Sequence, residues 1–129
     1  MIERLDHINI RTHRLDEMIA WYRDVLGMEV GPRPAAFDFP GAWLYANGQP
    51  LVHFVGVAAQ PSDPGTDLKL EHGAFSATGF KGFVEKLEAR GERFRLTRIE
   101  EFGIAQVNVW DPDGNHLHID FALAEEGAG

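Results

Sequence analysis

The 129-residue chain has no cysteine, which excludes disulfides, thiolate catalysis and cysteine-based zinc sites together. No apolar run approaches the roughly 20 residues needed to span a bilayer. The opening Met1-Ile2-Glu3-Arg4 lacks a secretory-signal pattern. Positive charge is scarce: 12 Lys and Arg stand against 20 Asp and Glu, a net charge of −8. Such a surface repels phosphate backbones and anionic lipid, so neither nucleic acid nor a membrane is an expected partner. The expectation is a soluble cytoplasmic protein. At 44% hydrophobic and 25% charged residues the composition is globular. A chain of this length fills one domain, or two small halves sharing a core. With thiolates excluded, the six histidines are the candidate ligands for late first-row metals.

Period and turn signals read as two similar series. Leu5–Ile10 alternates as a strand. Leu15, Met18, Ile19, Tyr22, Val25 and Leu26 form a helical stripe, with Thr12 or His13 as cap and Gly27 as left-handed terminator. Met28–Val30 starts a short strand, and Gly31–Gly41, with three prolines, is a loop. Ala42–Ala46 and Leu51–Val57 form a hairpin on Asn47-Gly48. After a linker over 58–68, the series starts again. Leu70–Ala77 is a strand, and Phe80, Phe83, Val84 and Leu87 form a helix closed at Gly91. Glu92–Leu96 is a short strand, and Ile104–Trp110 pairs with Asn115–Phe121 around Asp111-Pro112-Asp113-Gly114. The small, acidic tail from Ala124 is expected to be loose. Two βαβββ modules, 4–57 and 69–122, result.

Residues repeat along with the pattern. Leu5-Asp6-His7 matches Leu70-Glu71-His72 at an offset of 65, and His53 matches His118 at the same offset. Strand parity puts His118 with His116 and Asp120, opposite Leu117, Ile119 and Phe121, which read as core. A lone strand histidine is usually a half-buried residue bonded to a carbonyl. Four in repeat register, His7, His53, His72 and His118, point instead to a divalent-metal site. His53 is the weakest of them, because its strand is apolar on both faces. His13 reads as a cap or solvated residue and His116 as a turn-proximal surface residue. Tyr45, Gln106 and Asn108 are candidate substrate contacts by parity. Trp43 and Trp110 read equally well as pocket walls or core, and Asp120 as a base, a histidine partner or a solvated strand end.

The segments LDHINI, WYRDVLGMEV, FDFPGAWLYANGQPLVHFV, LEHGAF and DPDGNHLHIDF resemble the vicinal oxygen chelate superfamily, the glyoxalase, bleomycin-resistance and dioxygenase group. The resemblance runs from Leu5 to Phe121. It implies a single α+β domain whose βαβββ modules form a curved half-barrel sheet around a metal, and it implies a homodimer. It places His7 and His72 on first-strand ligand positions. His118 falls where the family usually has a glutamate, and His53 on a position that is a ligand in glyoxalase I but not in every branch.

Histidine at both carboxylate positions of glyoxalase I disfavours glutathione-dependent glyoxalase activity, because a coordinated imidazole has already committed its lone pair. The leading expectation is a metal-dependent enzyme using Fe, Zn, Ni or Mn. It would act on a small oxygen-rich substrate by dioxygenase, isomerase or lyase chemistry. The alternative is an antibiotic-sequestering protein of the bleomycin-resistance type.

Overall fold

The computed structural model describes residues 1, 3–59 and 70–127. The chain divides into two compact units, Met1–Asp63 and Pro64–Gly129.

In the first unit, the apolar stripe beginning at Leu15 folds as α1 (Leu15–Asp24). Met18, Trp21, Tyr22 and Val25 are buried. Tyr22 meets Phe54 edge-on at 5.0 Å, which docks the helix on its sheet. Gly27, at φ 73°, ends the helical run as expected, with the Met28 N–H returning to the Tyr22 carbonyl at 3.1 Å. At the other end neither Thr12 nor His13 takes the cap position, which falls on Arg14. Buried Thr12 still acts there, its hydroxyl accepting the Arg14 N–H at 3.0 Å. The strands are β1 (Ile8–Thr12), β2 (Glu29–Gly31), β3 (Gly41–Ala46) and β4 (Gln49–Gly56), in sheet order β1-β4-β3-β2. Asn47 and Gly48, both at positive φ, close the β3–β4 hairpin.

The second unit repeats this plan. It contains β5 (Gly73–Ser76), α2 (Phe80–Arg90), β6 (Phe94–Ile99), a 3₁₀ turn (Glu100–Phe102), β7 (Ile104–Trp110) and β8 (His116–Ala122). The sheet order is β5-β8-β7-β6. Leu117, Ile119 and Phe121 are buried as their parity requires, and Phe80 and Phe83 of α2 pack on Phe121. Each such side chain taken from water contributes about 1.5–3 kcal/mol. The repeat extends to register. His53 lies opposite Asn9 and Trp43, and His118 lies opposite Ala74 and Asn108, each pair of equivalents 65 residues apart.

Several features differ from expectation. β1 and β5 begin at Ile8 and Gly73, not Leu5 and Leu70, because the parallel partner strand is first met there. Leu5 and Leu70 are left 79% and 88% exposed. β6 starts at Phe94 because Glu92 is still engaged in closing α2, its N–H bonded to the Leu87 carbonyl. As far as Gly127, the acidic tail is docked rather than loose. It forms α3 (Leu123–Glu126), and Glu125 Oε1 accepts the Gly79 and Phe80 N–H groups at 2.8 and 3.2 Å. Of the expected linker 58–68, residues 60–68 lie outside the described residues.

Candidate metal centre

The face of the second sheet opposite α2 carries the histidines. β8 alternates, so His116, His118 and Asp120 share that face while Leu117, Ile119 and Phe121 fill the core. His72 enters from the segment just before β5. The His72 and His118 rings stack at 3.9 Å and 16°. His116 stands edge-on to both, at 5.6 Å from His72 and 4.9 Å from His118. One ring nitrogen from each of the three lies within 4.8 Å of the others.

Hydrogen bonds orient two of the three rings. Buried Asn108 donates its amide to the Arg95 carbonyl at 3.0 Å and to Thr97 Oγ1 at 3.2 Å. That turns its oxygen toward His116 Nε2, 2.9 Å away, so Nε2 carries the hydrogen. Glu71 bridges the other contacts: Oε1 lies 2.6 Å from His72 Nδ1, and Oε2 lies 2.8 Å from His116 Nδ1. These two bonds hold the Glu71 carboxyl down to about 2. The His116 ring also stacks on Trp110 at 5.0 Å, and Arg93 covers the indole at 3.7 Å. Burial, followed by the neighbouring His72 and His116, lowers the pKa of His118. A neutral imidazole keeps the lone pair that coordination requires. Burial pushes the Asp120 carboxyl up, and its Oδ1 has no hydrogen-bond partner among the described residues.

The first unit repeats the arrangement in part. His7 and His53 stack at 3.8 Å and 13°, and Asp6 holds His7 Nδ1 at 2.7 Å as Glu71 holds His72. His53 is 7% exposed and also stacks on Trp43 at 3.9 Å. Its Nε2 donates to the Pro50 carbonyl at 3.0 Å, leaving Nδ1 as its free nitrogen. Burial first, then His7, lowers its pKa.

The four sequence-predicted histidines therefore stand as two stacked pairs, one in each unit. The structure adds His116, which sequence reading set aside as a turn-proximal surface residue. Its side chain is only 14% exposed. The available signal was parity: His116 shares a face with His118, and Trp110 lies opposite it across the hairpin. Among the predicted substrate contacts, the Asn108 amide is engaged with protein partners. The Tyr45 hydroxyl donates to the Pro32 carbonyl at 2.5 Å, and its ring lies against Gly31 in a groove near the Asn47-Gly48 turn. Gln106 is half-buried opposite Asp120.

The Glyoxalase/Bleomycin resistance protein/Dioxygenase superfamily sequence model matches residues 4–119. The chain belongs to this superfamily. It is 29% identical over 119 residues to Glyoxylase I 4 of Arabidopsis thaliana, covering 89% of this chain and 68% of that protein. The fold is shared with a glyoxalase family protein from Bacillus anthracis, at TM-score 0.76 and 23% identity, over 95% and 97% of the two chains. It is also shared with the fosfomycin resistance protein of Listeria monocytogenes, at TM-score 0.70 and 14% identity, over 95% of each chain.

Superfamily members typically use a divalent metal, and the donor set here suits one. Three imidazoles converge, one of them depressed in pKa. A carboxylate and an amide grip ring nitrogens in the manner that orients metal-bound histidine.

Proposed function

We propose that this chain is a metal-dependent enzyme acting on a small oxygen-rich substrate by isomerase, lyase or dioxygenase chemistry. A divalent ion would be held by His72, His116 and His118. The observation that carries the reading is the convergence of those three ring nitrogens within 4.8 Å on one sheet face. His7 and His53 enter the proposal as the matching pair of the first unit. The reading includes a homodimer as the working form and the cytoplasm as its place.

The donor chemistry favours Fe, Ni, Zn or Mn over Mg or Ca, because imidazole suits borderline ions. A bound ion would supply a Lewis-acid centre that retains its full divalent charge, suited to two adjacent oxygens of an anionic substrate. Glu71 fixes the His72 ring through Nδ1, leaving Nε2 as the coordinating atom. Asn108 fixes His116 through Nε2, so coordination there would use Nδ1, which would give up its bond to Glu71 and the proton that bond holds. Gln106 and the unpartnered oxygen of Asp120 lie further along the same face and are assigned to hydrogen-bond the substrate.

The test is metal per chain after loading with iron, nickel, manganese and zinc in turn and dialysis against a weak chelator. The wild type is expected to retain about one ion, and His72→Ala, His116→Ala and His118→Ala to lose it. His13→Ala is expected to match the wild type. Retention by His118→Ala, or no metal on the wild type, would refute the centre and leave the sequestering alternative as the better reading.

The same proposal separates this chain from glutathione glyoxalases. Positions 53 and 118 carry imidazoles, so neither supplies a carboxylate to shuttle a proton. With the hemithioacetal of methylglyoxal and glutathione, turnover by the metal-loaded protein is expected below about 1 per second. Faster turnover would show that another residue supplies the base.

A further inference from the structure

Arg33 lies in the loop joining β2 to β3, and its surroundings do not resemble those of a surface arginine. Its guanidinium sits over the rings of Phe39 and Phe37, with Cζ 5.0 and 5.6 Å from their centroids. Nη2 donates to the Phe39 carbonyl. Nη1 is buried and has no hydrogen-bond partner among the described residues. A buried cationic N–H left unpaired is costly, and a chain with 20 carboxylates had ample means to pair it.

The guanidinium takes the space that a side chain at position 41 would fill. A Cβ at Gly41 would collide with Arg33 Nη1 and with the Phe54 carbonyl oxygen. Gly41 and Trp43 are two residues apart on β3 and so present the same face. That face carries the Trp43–His53 stack, and Phe37 reaches Trp43 edge-on at 6.4 Å. The guanidinium thus shares a sheet face with aromatic side chains, and the two rings that cover it, Phe37 and Phe39, are themselves 39% and 38% exposed.

We infer that Arg33 anchors the oxyanion of a small ligand, a carboxylate or phosphoryl group, with Phe37, Phe39 and Trp43 packing its apolar portion. Guanidinium pairs such groups through two parallel N–H bonds, and Nη1 is the free donor such a pair requires. The phenylalanine rings turn outward to admit the anion. Every residue involved belongs to the first unit, so the inference does not rest on the metal reading.

The full chain is titrated calorimetrically with benzoate, phenylphosphonate and benzamide in chloride-free buffer. Benzoate and phenylphosphonate distinguish the two oxyanion sources, and benzamide is the neutral control of similar shape. At least one anion is expected to bind saturably and roughly tenfold or more tighter than benzamide. Arg33→Met is expected to erase that preference, and Arg33→Lys to keep part of it. Gly41→Ala is expected to erase it by displacing the guanidinium. Metal content measured in parallel should be unchanged in all three variants, which separates this site from the metal centre. If neither anion binds, if benzamide binds as tightly, or if Arg33→Met retains the preference, the inference is overturned. Should Arg33→Met fail to fold, the anion–benzamide comparison on the wild type and Arg33→Lys still decides.

Discussion

Asn108 occupies the position in β7 whose counterpart in the first unit, by the 65-residue offset, is Trp43. Both side chains lie beside a last-strand histidine, but they act differently. The indole stacks on His53, whereas the amide reaches past His118 to grip His116. Asn108→Leu removes that grip and leaves His116 Nε2 and the Arg95 carbonyl without their present partner. Metal affinity is expected to fall roughly 10–100-fold, the usual effect of losing an outer hydrogen bond to a ligand histidine. Competition with a chromophoric chelator measures this, with circular dichroism confirming that the sheet persists. Unchanged affinity would mean that packing against Trp110 alone fixes the ring.

At the scale of elements, the two helices end alike and begin differently. Gly27 and Gly91 adopt positive φ where each helical run stops. At the start of α1, Thr12 accepts the Arg14 N–H from within the local chain. α2 has no local side-chain cap and takes Glu125 from α3, 45 residues from Phe80. A carboxylate there satisfies two free N–H groups and faces the positive end of the helix. Glu125→Ala is therefore expected to destabilise the protein by about 1 kcal/mol. Glu125→Gln should lose less, because the amide oxygen can still accept. Urea unfolding of the three proteins measures the order, and a wild-type midpoint for Glu125→Ala would show that α3 is held by other contacts.

Over the whole molecule, buried imidazoles make stability depend on pH. His53 and His118 both have pKa values lowered from 6.5, burial being the larger cause and neighbouring imidazoles the next. The unfolded chain then binds protons that the native state refuses. Their contribution is fully present above pH 6.5 and is lost as pH falls toward the lowered native values. Glu71 acts in the same direction at lower pH, between 4.5 and about 2. Asp120, raised by burial, acts oppositely, its contribution being lost as pH rises above 3.8. For the metal-free protein the urea midpoint is expected to be lower at about pH 5 than at about pH 7.5. An equal or higher midpoint would contradict the burial assigned to the two histidines. Among the described residues no helix is long and apolar enough to cross a membrane.

The family, the βαβββ order and the offset of 65 were legible in the sequence because they rest on local periodicity, turn residues and repetition. So was the core row of β8, since alternation in a strand assigns its faces directly. Three features were decided only by tertiary structure. His116 became a candidate ligand because the fold brings His72, 44 residues away along the chain, to it and to His118. The acidic tail docked because a helix start 46 residues away at Gly79 left N–H groups unpaired. Arg33 Nη1 lost its solvent because a glycine eight positions on, in the next strand, leaves space for the guanidinium. Each depends on which unpaired donor or acceptor meets which partner through space. Local periodicity carries no record of that, because the partner's distance along the chain is arbitrary.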